Sequence, residues 1–166
     1  MKTKPFIPNI IDIEASGLYG DSYPIEIGVA LANGERYCSL ITPADDWQHW
    51  DKKAFEVHKI ERKQLFDKGK DVKTVAMELN NVLNGLQAYS DGWVVDNPWL
   101  IKLFDAAKIS QQFRFSDLQM ILKESQMDIW HQVKDEVTLD LKLARHRASS
   151  DARIIQETFI RTAQLV

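Results

Sequence analysis

Two carboxylates interrupt a run of isoleucines near the start of the chain, Ile10-Ile11-Asp12-Ile13-Glu14, and no other stretch restricts the fold as tightly. Successive β-branched residues favour a strand. On a strand, positions two apart project from the same face. Asp12 and Glu14 therefore stand side by side, on a segment whose other residues belong in a core. Two anions held together at the edge of an apolar interior repel each other and lose hydration. A chain tolerates that when a cation, a proton or an arginine lies between them. Taken alone, Asp-x-Glu is a very common tripeptide and fits a solvated surface strand better.

The segments that follow fix how such a strand is paired. Residues 6–14 read as a first strand, and Ile25 to Leu31 is an apolar run consistent with a second. Asn33-Gly34 is the strongest short hairpin signal, because both residues tolerate positive φ. Arg36 to Ile41 returns as a third strand, giving an antiparallel meander. From Pro43 to Gly69 no long period holds, and short surface helices are expected. Asp71 caps a helix whose apolar face runs through Val72, Val75, Ala76, Leu79, Val82, Leu83 and Leu86. A short strand is predicted over residues 87–95, with a helix opening at Asp96-Asn97-Pro98. Residues 112–115 form a fifth strand, parallel to the fourth through that helical crossover. Helices are then expected over 116–124, 128–143 and 150–163, the last capped by Ser149 or Ser150. This order predicts an α/β fold, a mixed five-stranded sheet flanked by helices, in one domain spanning residues 1–166.

Composition narrows the setting. The 166 residues are 45% hydrophobic and 27% charged, an ordinary globular balance with enough chain for a sizeable core. The single cysteine, Cys38, excludes an internal disulfide and suggests a reducing compartment, so a cytoplasmic protein is expected. No apolar run approaches the length of about 18 residues that spans a membrane. The net charge of −3 weighs against a nucleic-acid partner. That weight disappears if four of the carboxylates are metal ligands, since the remainder is then slightly positive.

Two later sites complete the pattern. In His146-Arg147-Ala148-Ser149-Ser150-Asp151, a histidine and an aspartate straddle a helix start. Asp151 could serve only the helix dipole, and His146 could be an ordinary surface residue. Asp96 lies where an apolar strand gives way to a helix, and ligands commonly bind at such carboxyl ends. A plain helix cap is its simpler role.

In chain order the whole constellation resembles the DEDDh 3′–5′ exonuclease family, the group of RNase T, oligoribonuclease and the proofreading subunit of bacterial DNA polymerase III. Asp12 and Glu14, followed by Ala15-Ser16-Gly17-Leu18, look like its first motif; Asp96 with Leu100 matches the second; His146 and Asp151 match the third. Val57-His58-Lys59-Ile60 is similar to the family's Val-His-Gly-Ile segment. The resemblance spans residues 10–159 and implies an RNase H-like fold. It also implies metal-dependent hydrolysis of single-stranded DNA or RNA, or of short oligonucleotides, to nucleoside 5′-monophosphates. Two Mg²⁺ ions are implied, with Mn²⁺ as the alternative, held by Asp12, Glu14, Asp96 and Asp151. His146 would act as general base. Ile13, Ser16, Leu18 and His58 would cradle the terminal nucleotide, although Leu18 and His58 fit the core as well.

One departure stands out. Where the family often has His-Asn ahead of its second-motif aspartate, this chain has Asp91-Gly92, so Asp91 competes with Asp96 as a ligand. Trp47 and Trp50 are the better candidates for exposed aromatic residues, while Trp93 and Trp99 read as core. Arg145, Arg147 and Arg153 either meet phosphates or are surface charge. A nucleic-acid-binding or interaction module that keeps the fold without turnover is the alternative, and a homodimer through an apolar helix face stays open.

Overall fold

The computed structural model describes residues 4–166. Five strands form one sheet in the order β3-β2-β1-β4-β5. Strand β1 (Asn9–Ala15) lies at the centre, antiparallel to β2 (Pro24–Ala30) and parallel to β4 (Gln87–Ser90). Strand β3 (Arg36–Leu40) pairs antiparallel with β2, and β5 (Arg114–Asp117) pairs parallel with β4. The α/β fold with antiparallel meander and parallel extension is the RNase H-like arrangement that the strand order predicts. At the hairpin, Gly34 adopts a φ of +91° and the Asn33 side chain accepts from the Glu35 N–H. Asn33-Gly34 thus does what its residue types favour.

Three helices cross from β3 to β4: α1 (Lys52–His58), α2 (Arg62–Lys68) and α3 (Val72–Leu83). Asp71 caps α3 by accepting from the Thr74 N–H at 2.8 Å. Helix α4 (Trp93–Ala107) connects β4 to β5. Helices α5 (Glu124–Leu141) and α6 (Ala148–Leu165) close the chain.

After residue 87 several boundaries differ from the sequence reading: β5 runs Arg114–Asp117 rather than 112–115, α5 starts at Glu124 rather than 128, and three further differences bear on the site. Strand β4 ends at Ser90 and α4 starts at Trp93, so Asp96 lies within the first turns of the helix rather than at its cap. Trp93-Val94-Val95 has strand-like residue types, but Val94 and Val95 face solvent as helical residues instead of filling a core. The helix expected from Ser116 is a 3₁₀ turn, Leu118–Met120, because the Asp117 carboxylate turns the chain by accepting from Gln119. Helix α6 opens at Ala148, ahead of both serines expected to cap it.

The two faces of the sheet are covered differently. Ile11, Ile13 and Ala15 of β1, with Ile25, Ile27 and Val29 of β2, pack into the main core against α3 and α4. Ile10 and Ala30 point the other way, into a second cluster with Trp130 of α5 and Ile155 and Phe159 of α6. By strand alternation Asp12 and Glu14 share that second face with Ile10. The face is therefore apolar at one end and acidic at the other. None of the helices among the described residues is long and apolar enough to cross a membrane.

Candidate active site: a carboxylate cluster at the mouth of a cleft

The acidic end of β1 receives its third carboxylate from the other end of the chain. Asp12 is the cross-strand partner of Gly28 on β2. A Cβ at Gly28 would lie 2.3–2.4 Å from the backbone of Ala148 and Ser149, so only glycine lets α6 start directly against the sheet. One turn later, Asp151 arrives beside the two strand acids. Carboxylate oxygens of Asp12, Glu14 and Asp151 all lie within 4.8 Å of one another, and all three residues are half-buried.

A second device holds α6 in place. Glu26, the cross-strand partner of Glu14, is buried and aims at the helix start. Its Oε1 accepts from the Ala148 N–H at 2.7 Å, and its carboxylate takes two further donors from Arg147, at 3.0 and 2.6 Å. The N-cap residue, Arg147, makes no side-chain cap bond of its own. Glu26 therefore caps α6 from another element, satisfying an N–H that the helix leaves unpaired. No local pattern around Ser149 could have revealed this. The signal lay elsewhere, in a lone acid and a lone glycine within a strand whose seven residues are all buried.

Asp96 is not one of the close trio but lines the same region. It is buried and accepts from Ser90 Oγ at 2.5 Å, while its N–H bonds the Gly92 carbonyl. Asp91 points elsewhere, accepting from Lys134 Nζ at 2.8 Å. His146 is exposed on the loop before α6, with a φ of +59°. Its main-chain N–H donates to Asp151 Oδ2 at 3.1 Å, tying loop and helix together.

Burial and mutual repulsion dominate the electrostatics of the cluster and disfavour its charged form. Burial, then the neighbouring carboxylates of Asp96, Glu14, Asp151 and Asp91, holds Asp12 well above the usual carboxylate range. Glu14 is pushed up to about 8 by burial, with Asp151, Glu26 and Asp96 adding to it and Arg147 opposing. Burial also raises Asp96 and Asp151, the latter against the pull of Arg145 and His146. Asp151 Oδ1 is buried and accepts no hydrogen bond, although Arg145 Nε stands 3.3 Å away. Crowded oxygen donors that disfavour shared negative charge, with an orphaned buried oxygen among them, fit a hard divalent cation. These residues therefore suit the metal that the resemblance implies.

The acids open onto a cleft of about 520 Å³, within the usual size of small-molecule sites. Asp12, Glu14 and Asp96 form one wall, and Val57, His58 and Lys53 of α1 line another. Leu18 and Tyr19 stand at the rim, both more than 70% exposed, so Leu18 is not a core residue. Ile13 also lines the cleft. His58 is buried against Trp50 and Phe55, with Nδ1 accepting from the Ile60 N–H. Its proton therefore sits on Nε2, which has no partner, and burial pushes its pKa down to about 4.

Other expected contacts fall outside the cleft. Ser16 is fully buried, its hydroxyl 2.9 Å from His49 Nδ1 and accepting from the Tyr23 N–H. Trp47, one of the two candidates for an exposed aromatic residue, is buried and stacked on Tyr23 at 5.4 Å. Arg147 serves Glu26, and Arg145 lies beside Asp151.

No protein-family model matches this chain, and neither does any curated protein sequence. Solved structures are similar in fold. Escherichia coli Exonuclease I in complex with a dA16 oligonucleotide superposes with a TM-score of 0.67 at 14% identity, over 95% of this chain and 41% of that one. A zinc-bound form of the E. coli enzyme with single-stranded DNA gives 0.65 at 15% identity, over 95% and 41%. A moderately thermophilic Exonuclease I from Methylocaldum szegediense gives 0.67 at 12% identity, over 95% and 40%. The chain thus spans about two fifths of the length of these proteins, and the likeness is one of fold.

Proposed function

We propose that this protein is a divalent-cation-dependent 3′–5′ exonuclease that releases nucleoside 5′-monophosphates from single-stranded DNA or RNA, or from short oligonucleotides. The observation that supports this most is the meeting of Asp12, Glu14 and Asp151, from opposite ends of the chain, at the mouth of a cleft large enough for a nucleoside. E. coli Exonuclease I, similar to this chain in fold, is known in complex with a dA16 oligonucleotide and with single-stranded DNA.

In this reading Asp12, Glu14 and Asp151, with Asp96 alongside, hold two Mg²⁺ or Mn²⁺ ions. When bound, such ions stabilise the attacking and leaving oxygens of an in-line displacement at phosphorus. The chain's own groups do the rest. His146 takes the proton from the attacking water, helped by a loop whose N–H is anchored on Asp151. Leu18 and Tyr19 at the rim, and Val57 on α1, give the terminal base an apolar bed. His58, neutral and with its Nε2–H unpaired, can donate to an acceptor on that nucleotide. The buried Ser16 acts indirectly, by securing the turn to Tyr23 with both its hydroxyl and its backbone N–H.

The test is a substrate panel. Labelled single strands of DNA and RNA are incubated with Mg²⁺, Mn²⁺ or chelator, and the products are identified. Stepwise release of 5′-mononucleotides from the 3′ end, abolished by chelator, is the expected result. Tight binding without cleavage would replace the enzyme by a binding module.

A further inference from the structure

Asp91, the residue that departs from the family pattern, opens onto a second hollow. This hollow measures about 220 Å³ and lies on the other side of the Asp91-Gly92 turn from the main cleft, which Gly92 and Asp96 line. Its floor is apolar, formed by Leu118, Leu122 and Trp130, and its rim carries Gln119 and Lys134. Lys134 Nζ donates to Asp91 Oδ2 at 2.8 Å, and both side chains remain about a quarter exposed, at 23% and 25%. The pair stands close to the acid cluster. Asp91 adds to the raised pKa values of Asp12 and Asp96, and Lys134 works against that of Asp151.

We infer that this hollow receives the nucleotide on the 5′ side of the scissile phosphate, with Lys134 as its phosphate-binding cation. The inference rests on the exonuclease reading. A phosphodiester at the cluster carries a nucleoside on each side, and the main cleft takes only the terminal one. The other needs an apolar surface for its base and a cation for its next phosphate, and both occur together across the turn. An ammonium has three donors, of which Asp91 occupies one, so Lys134 can stay tethered while it binds an oxygen of the backbone. Asp91 thereby acquires a role that is not metal ligation: it fixes the direction in which Lys134 points.

The test compares two substrates at saturating Mg²⁺ in the wild type, Lys134→Gln and Lys134→Glu. One is a labelled single-stranded oligonucleotide. The other is the p-nitrophenyl ester of thymidine 5′-monophosphate, which has no nucleoside beyond its scissile phosphate. Lys134→Gln should raise KM for the oligonucleotide by about tenfold, as expected for loss of one charge-assisted contact, and Lys134→Glu should raise it further. The dependence of log KM on log salt should become shallower by about 0.7 in Lys134→Gln, one phosphate contact fewer on a single strand. KM for the nitrophenyl ester should change far less than KM for the oligonucleotide. An unchanged oligonucleotide KM, or equal losses on both substrates, would overturn the subsite. A wild-type protein that hydrolyses neither substrate would refute the exonuclease reading itself and take the inference with it.

Discussion

Along β1, Ile11 and Ile13 point into one side of the sheet while Asp12 and Glu14 point into the other, and the two sides meet opposite demands. On the first, isoleucines and valines of β1 and β2 meet α3 and α4, and every contact favours the folded state. On the second, α6 is brought against β2 at Gly28, clamped by Glu26, and made to deliver a third carboxylate to two that already repel. The first side is arranged for stability. The second opposes it locally and depends on the first to hold its geometry. A region that works against its own fold marks a site in a way that apolar packing does not.

Substitutions should separate the two sides, and the largest effect is expected at the acids. Asp12→Asn should lower turnover about a thousandfold, the loss of several kcal/mol of cation-dependent stabilisation. The same change should raise Tm of the cation-free protein, because it removes a carboxyl group whose ionised form is disfavoured by desolvation and by its acidic neighbours. Loss of activity with a lower Tm would break the contrast drawn here. His146→Ala should reduce turnover about a hundredfold, the usual scale of a general base, with cation affinity retained. Unchanged turnover in that variant would remove the base assignment.

Glu26→Ala should cost turnover about tenfold or more, as loss of support behind a ligand does, because Ala148 loses its acceptor and Arg147 its partner. Glu26→Gln, which keeps an acceptor for Ala148, should recover part of it. Equal defects in the two variants would show that the clamp does not act through the start of α6.

The acids also set a pH dependence. Glu14 moves from an ordinary 4.5 to about 8 on folding, so between those values the folded chain binds more protons than the unfolded one. Stability of the cation-free protein should therefore fall as pH rises through that window. Added Mg²⁺ should raise Tm more at the upper end of the window than at the lower. A thermal melt series with and without Mg²⁺ checks the sign. The smallest effect belongs to the apolar side. Ile11→Val should cost about 1 kcal/mol of stability in a denaturant titration and leave cation binding untouched.

How much of this was legible in the chain depended on whether the cause was local. The hairpin at Asn33-Gly34 and the cap at Asp71 were readable because a residue or two determine each. The acid pair was readable because alternation on a strand is a strict rule. The start of α4 is hidden because Val94 and Val95 have the residue types of a strand, and only tertiary context makes them helical. The burial of Trp47 is not legible locally because its stacking partner, Tyr23, lies 24 positions away. The start of α6 was misplaced because its cap comes from β2. What escaped the reading was, each time, an interaction between segments remote in sequence, and the clamp that orders the candidate site is one of them.

The central claim is that Asp12, Glu14 and Asp151 converge to hold divalent cations, and titration calorimetry of the cation-free protein tests it most directly. Mn²⁺ added near pH 7, in two buffers of different ionisation enthalpy, should bind the wild type with net release of protons from the crowded acids. Asp12→Asn should bind far more weakly and release fewer. No binding by the wild type, or binding that Asp12→Asn leaves unchanged, would contradict the account.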